Sequence, residues 1–140
     1  MKNLTVALVL DEREGMMIFG KRQSRDRVLI ADFVSSMGDT PIYISPFSKV
    51  IFEPHEEINI VENPFYDSID GGACFIENYH LTHYIDMIGT LVIYRWNELY
   101  PSDVRFDLDV EAAGFKLVES YDFEGSSHER ITKEIYKRLA

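Results

Sequence analysis

Leu4 to Leu10, LTVALVL, is a nearly continuous apolar run that Asp11, Glu12 and Arg13 end abruptly. A strand with one wet face would alternate apolar and polar residues, and a run this short cannot cross a bilayer. The pattern is that of a strand buried on both faces, as in a parallel sheet covered by helices. The chain therefore enters the fold at a sheet centre, and the residues that follow must supply two covering layers.

They do so in alternation. Gly15 to Gly20 reads as a loop that exposes Met16, Met17 and Phe19. Ser24 can cap a helix running to Met37, closed by Gly38. At 100° per residue its Leu29, Ile30, Phe33, Val34 and Met37 fall within an arc of about 140°, and Asp26 lies in the middle of that arc. Thr40 to Ile44 is a short strand, and Ser45-Pro46 is a cap with proline at the first helical position of a helix to about Phe52. Ile58 to Val61 is a strand, Asp67 to Gly72 a turn-rich loop, and Ala73 to Ile76 a buried strand. Residues 79–88 suit a helix with Leu81, Tyr84, Ile85 and Ile88 on one face, and Leu91 to Trp96 is the next strand. Phe115 to Phe123 alternates as a strand should. Ser126 to Leu139 supports two readings: a capping box at Ser126 and Glu129 starts a helix, whereas Ile131, Thr132, Ile135 and Tyr136 favour the second arm of an antiparallel hairpin.

At 140 residues and 46% hydrophobic composition the chain suits one domain, 1–140, with a core that needs no metal or disulfide. A net charge of -10 opposes broad attraction to nucleic acid or anionic membrane. The single cysteine, Cys74, leaves no intramolecular disulfide, and with neither a signal peptide nor a membrane span in view the expected location is cytoplasmic. Charge is uneven: residues 53–90 hold eight acids and no Lys or Arg, whereas Lys21, Arg22, Arg25 and Arg27 crowd together. That cluster is the candidate anion site. Its alternative is a solvated helix start whose cations pair with neighbouring acids.

The order of elements resembles the dihydrofolate reductase fold: an α/β domain with a mixed, mostly parallel sheet flanked by helices and a C-terminal antiparallel hairpin. LTVALVLDE resembles that family's opening strand and acidic turn. The segment leading into Asp26 resembles the stretch carrying its proton-relaying carboxylate, and TPIYISPFSKVIF resembles the strand and helix that bind cofactor phosphate. ACFIENYHLTHYIDMIGTLVIYRWN resembles its elements around the nicotinamide, and VESYDFEGSSHERITKEIYKR its closing hairpin, which assigns the last segment to a strand. The resemblance implies Asp26 as catalytic acid and NADPH as cofactor. The helical wheel also turns Asp26 toward the core, where desolvation would raise its pKa. The alternative for Asp26 is a helix first-turn acid paired with Arg22 or Arg27.

Several positions depart from the family pattern. Gly20 and Lys21 stand where the family has proline and tryptophan. Ser45-Pro46 replaces its phosphate-gripping Gly-Arg, Glu77-Asn78 its Gly-Gly turn, and Tyr94 the threonine that supports the acid. The arginine that grips the folate tail has no counterpart in the middle third. Ser45, Ser48 and their helix start retain phosphate contact through backbone N–H groups.

Other constellations are weaker. Glu77, His80, His83 and Asp86 recur every three residues, but on a helix His83 and Asp86 face away from the apolar side, so no metal site is expected. Ser126, Ser127 and His128 read as a hairpin loop rather than a nucleophile and base, and Cys74 as a small buried hydrophobe. Tyr94, Arg95 and Trp96 close a strand at the edge where open α/β sheets bind ligands; alternatively Trp96 covers the core and Arg95 pairs with a nearby acid.

The leading expectation is a protein that binds a small anionic or nucleotide-like ligand without reducing dihydrofolate, using Arg22, Arg25, Arg27, Ser45 and Ser48. Its cofactor is left unknown, because the departures remove NADPH contacts. The alternatives are a diverged NAD(P)H-dependent reductase with Asp26 as proton relay, and an interaction module whose acidic middle third and Met16, Met17 and Phe19 meet a basic partner or a second copy of the chain.

Overall fold

The computed structural model describes residues 3–139. Its strands are β1 (Leu4–Leu10), β2 (Gly15–Ile18), β3 (Lys21–Arg22), β4 (Ile42–Ile44), β5 (Ile58–Ile60), β6 (Ala73–Phe75), β7 (Ile88–Arg95), β8 (Val104–Arg105), β9 (Phe115–Phe123) and β10 (Ile131–Arg138). The helices are α1 (Arg27–Met37), α2 (Lys49–Phe52) and α3 (Pro64–Asp67).

A seven-stranded sheet has the order β5-β4-β6-β1-β7-β10-β9, and a three-stranded sheet the order β3-β2-β8. In the large sheet β1 runs parallel to β6 and β7, and β4 to β5 and β6, while β10 is antiparallel to both β7 and β9. The opening strand thus lies inside the sheet, as its unbroken apolar run requires. Side-chain alternation divides the core by face. Leu4, Val6, Leu8 and Leu10 join Cys74, Ile76, Leu91 and Ile93 on one side. Ala7, Phe75, Val92 and Tyr94 face α1 on the other, against Leu29, Ile30 and Phe33.

The structure settles the last segment as a strand. Ile131 to Arg138 pairs with β7 and β9 over its length, with a bulge between Ile135 and Tyr136. Other expectations need correction. Ser24 is not the cap of α1: Asp26 is, accepting the N–H groups of Val28 and Leu29. Residues 79–88 do not form an α-helix. Leu81–Met87 is a 3-10 helix whose entry is tied by the Asp107 carboxylate, which accepts from Leu81 N–H and Thr82 Oγ, and Ile88 already belongs to β7. The segment after Pro46 divides into a 3-10 turn and the single turn α2. Met16 and Met17 are buried rather than exposed, because β2 is held between β3 and β8 over the end of β1. Phe19 alone of the three is exposed, at 82%, in a turn where its φ is 48°. Among the described residues no helix is long and apolar enough to cross a membrane.

Candidate functional site

At the carboxyl ends of β1 and β6, beside β3 and the start of α1, lies a narrow crevice. Its apolar wall includes Val9, Leu29, Ile30, Ile51, Phe75 and Trp96; its polar lining includes Arg22, Gln23, Ser24, Arg25, Asp26 and Glu77. Open α/β sheets place ligands at this edge, where loops diverge beyond the strands. Two shallower depressions adjoin it: one shares Arg25 and Asp26 and reaches Arg27, and the other shares Arg22 and Arg25 and reaches Lys21.

Asp26 sits at the bottom of this arrangement with its side chain fully buried. Besides its own helix it receives the loop between β9 and β10. Ser126 N–H donates to Oδ1 at 2.9 Å and Ser127 N–H to Oδ2 at 2.8 Å. His128 Nδ1 stands 3.3 Å from Oδ2. Burial by itself would raise the pKa, but the N–H donors from Ser126, Ser127 and Leu29 and the His128 contact outweigh it and hold the carboxyl well below the usual range. The expectation of a raised pKa is therefore corrected: the loop donors more than offset desolvation. Arg22 and Arg27 do not form its pair either. The first turn of α1 is equally occupied, since Arg27 N–H donates to Ser126 Oγ at 2.9 Å.

Arg22 instead makes a two-pronged pair with Glu77, Nε to Oε1 at 2.7 Å and Nη2 to Oε2 at 3.0 Å, while its guanidinium lies over Phe47. Ser48 Oγ donates to the same Glu77 at 2.7 Å. Two expected ligand contacts are thus taken up by one carboxylate. Ser45 is buried beside them and makes no side-chain cap bond. Arg25, Arg27 and Lys21 are different: they are exposed, and among the described residues none has an ion-pair partner within 4 Å.

The strand-end trio divides. Tyr94 is buried on the α1 face, its hydroxyl donating to Asp32 at 2.7 Å, and burial followed by that carboxylate pushes its pKa up. Arg95 is spent on Glu134 at 2.7 Å and Glu14 at 3.0 Å. Only Trp96 lines the crevice, stacked on His128 with ring centroids 4.2 Å apart. His128 Nε2 then meets the Tyr100 hydroxyl at 2.7 Å, and that hydroxyl donates to Glu98 at 2.7 Å.

Gln23 and His128 are residues whose parts in the site the sequence reading misses, and for Glu77, which it places at the departed Gly-Gly turn, it misses the bonds to Arg22 and Ser48. For Glu77 a signal existed, an acid directly after the buried run ACFI. Ser126, Ser127 and His128 read in the sequence as a hairpin loop, with nothing local that names Asp26 as their target. Among the described residues no group of three or more His, Cys, Asp or Glu side chains is placed to hold a metal ion.

No protein-family model and no curated protein matches the sequence. The structure does find a likeness: dihydrofolate reductase from Enterococcus faecalis, solved in complex with NADP(H) and RAB-propyl, superposes with a TM-score of 0.69 at 12% identity. The match covers 98% of this chain and 96% of that one. The chain has the dihydrofolate reductase fold. At this identity the likeness establishes architecture alone, and function has to be argued from the site. The family resemblance read in the sequence implies NADPH at the segments that here form β4 with its following turn and β6. There the Glu77 carboxylate spans to Ser48 and Arg22, placing bulk and negative charge where an anionic dinucleotide would pass. These residues do not fit that cofactor.

Proposed function

We propose that this protein binds a small anionic, nucleotide-like ligand in the crevice between α1 and the ends of β1 and β6, without reducing dihydrofolate. One observation supports the reading: Arg25 lines the crevice, Arg27 and Lys21 line the two adjoining depressions, and none of the three has an ion-pair partner among the described residues, in a chain that carries ten net negative charges. Cations left unpaired on an acidic protein concentrate anions locally, and the apolar wall supplies the body contact. Arg25 and Arg27 are the ligand contacts retained from the expected set, with Trp96 as part of the wall. Arg22 and Ser48 position Glu77 instead.

The reductase reading finds less support. A proton relay near neutrality needs a carboxyl that can hold a proton there, and Asp26 is kept ionised by its donors.

Thermal unfolding with mononucleotides, NADH and NADPH tests the reading. A ligand at 100 times its dissociation constant adds about 2.7 kcal/mol of stability. The expected result is stabilisation by mononucleotides that the Arg25→Ala/Arg27→Ala double variant loses. Stabilisation by NADPH, with hydride transfer abolished by Asp26→Asn, would replace it with the reductase reading.

A further inference from the structure

Each ring nitrogen of His128 faces acceptors alone. Nδ1 stands 3.3 Å from Asp26 Oδ2 and 3.0 Å from Ser127 Oγ. The Asp26 carboxyl is ionised, and the one hydroxyl hydrogen of Ser127 goes to the Arg25 carbonyl at 2.6 Å or to the same carboxylate at 3.1 Å. On the other side Nε2 lies 2.7 Å from the Tyr100 hydroxyl, whose own hydrogen goes to Glu98 Oε2 at 2.7 Å. That Glu98 oxygen is itself 3.8 Å from Nε2. A ring with one bare nitrogen would set a lone pair against an acceptor on one side or the other. Turning the ring over would put carbon atoms in both places.

The surroundings favour a cationic ring as well. Among the described residues His128 is the one basic side chain within 4 Å of the Asp26 carboxylate, and the Trp96 indole is stacked on its other flank. The remaining charged groups at this surface are Glu129 and Arg130, which line the outer depression with Glu98. We infer that His128 is a pH-operated clasp: protonated on both nitrogens it ties the β9–β10 loop to the start of α1 and to the segment after β7, and loss of one proton frees the loop. The clasp is closed at neutral and mildly acidic pH and opens as pH rises, within the span where histidine is the side chain suited to change charge. Opening moves Ser126 and Ser127, which wall the depression that also holds Arg25 and Arg27. The clasp stands on its own geometry and not on the anion-binding reading.

Two-bond 1H–15N correlation spectra of the ring-labelled full chain read the two His128 nitrogens directly. At pH 7 both are expected to carry hydrogen. Raising the pH to about 9 should remove one proton. In the same step amide protection at Ser126 and Ser127, corrected for the intrinsic pH dependence of exchange, should fall about tenfold while β1 amides keep theirs. Glu98→Ala provides the second arm, since a side chain 58% exposed is replaced without disturbing the core. There the Tyr100 hydrogen is free to turn toward Nε2, so the ring is expected to be neutral at pH 7 and loop protection to be independent of pH. A neutral ring in the wild-type protein at pH 7 overturns the inference. So does a ring whose proton loss leaves Ser126 and Ser127 equally protected, which makes His128 a fixed brace. Wild-type behaviour in Glu98→Ala also overturns it, because the acceptors at Nε2 would then not set the charge.

Discussion

His128 Nδ1 lies 3.3 Å from Asp26 Oδ2, across 102 residues of sequence, and the two serines before it complete the donors around the same carboxylate. The hairpin loop thereby supplies from a distance what a helix start needs at close range. A buried carboxylate held this way stabilises the fold while ionised, and its replacement leaves several donors unmatched. Asp26→Asn is expected to cost about 2–4 kcal/mol, read from urea midpoints at pH 7.

The same carboxylate sets an acid limit. Its pKa is lowered on folding, as are those of Asp11 and Asp107, so their contribution is complete above the unfolded value of about 3.9 and is lost as pH falls toward the folded values. Stability measured from pH 7 to pH 3 should be flat at first and then fall steeply below about pH 4.5. Asp26→Asn should show a shallower fall, and an unchanged slope would remove Asp26 from the account.

Gly125 is needed for space. A Cβ there would intrude on the Asp26 carboxylate and come within 2.7 Å of Ile131 Cδ1. Gly125→Ala should destabilise by about 1–3 kcal/mol and weaken amide-exchange protection at Ser126 and Ser127, whereas Gly20→Ala, which has open space but a φ of 73° that a side chain resists, should cost stability without that loss of protection.

Lys133 and Asp32 form a pair on the α1 face, Nζ to Oδ2 at 2.8 Å, with the lysine side chain only 3% exposed. Ser36 Oγ and the Tyr94 hydroxyl complete it. Lys133→Met is expected to cost about 3–5 kcal/mol because it leaves the Asp32 carboxylate without its cation, and adding Asp32→Leu should recover part of that loss. Strict additivity in the double-variant cycle would show that the two groups are not coupled.

Glu77→Gln removes the charge that occupies Arg22 and Ser48. Stability should fall, yet mononucleotide binding should tighten by about threefold to tenfold as Arg22 becomes available. Unchanged affinity would mean that Arg22 does not reach the ligand. Cys74 offers a separate check on packing: full burial pushes its thiol up to about 12, so an aromatic disulfide reagent should react only at the rate of unfolding.

Much of the fold was readable because particular residues had one physical option. LTVALVL could be satisfied only inside a sheet, and the spacing of Leu29, Ile30 and Phe33 only by a helix on its face. Ile131 and Ile135 were ambiguous because a spacing of four suits both the period of a strand and that of a helix; pairing with β7 decided it. β3 and β8, at two residues each, carry no period at all. Adjacent Met16 and Met17 would divide between faces in an ordinary strand, and both are buried because β2 is packed on two sides. Within the site, Asp26 is buried, but as the cap outside the helix rather than as a member of its wheel, and local sequence cannot reveal hydrogen-bond donors a hundred positions away. The same holds for Glu77, whose partner Arg22 comes from β3.

The place of β10 between β7 and β9 has a kinetic meaning. Leu4 pairs with Ile88 and Thr132 with Arg95, so the central strands must wait for distant partners before the sheet can close. Until the hairpin arrives, β7 presents an open edge and the start of α1 lacks its loop donors. A chain emerging from the ribosome carries both defects until β10 has been made, so folding should be slow and cooperative, with its chief aggregation hazard at that unfinished edge.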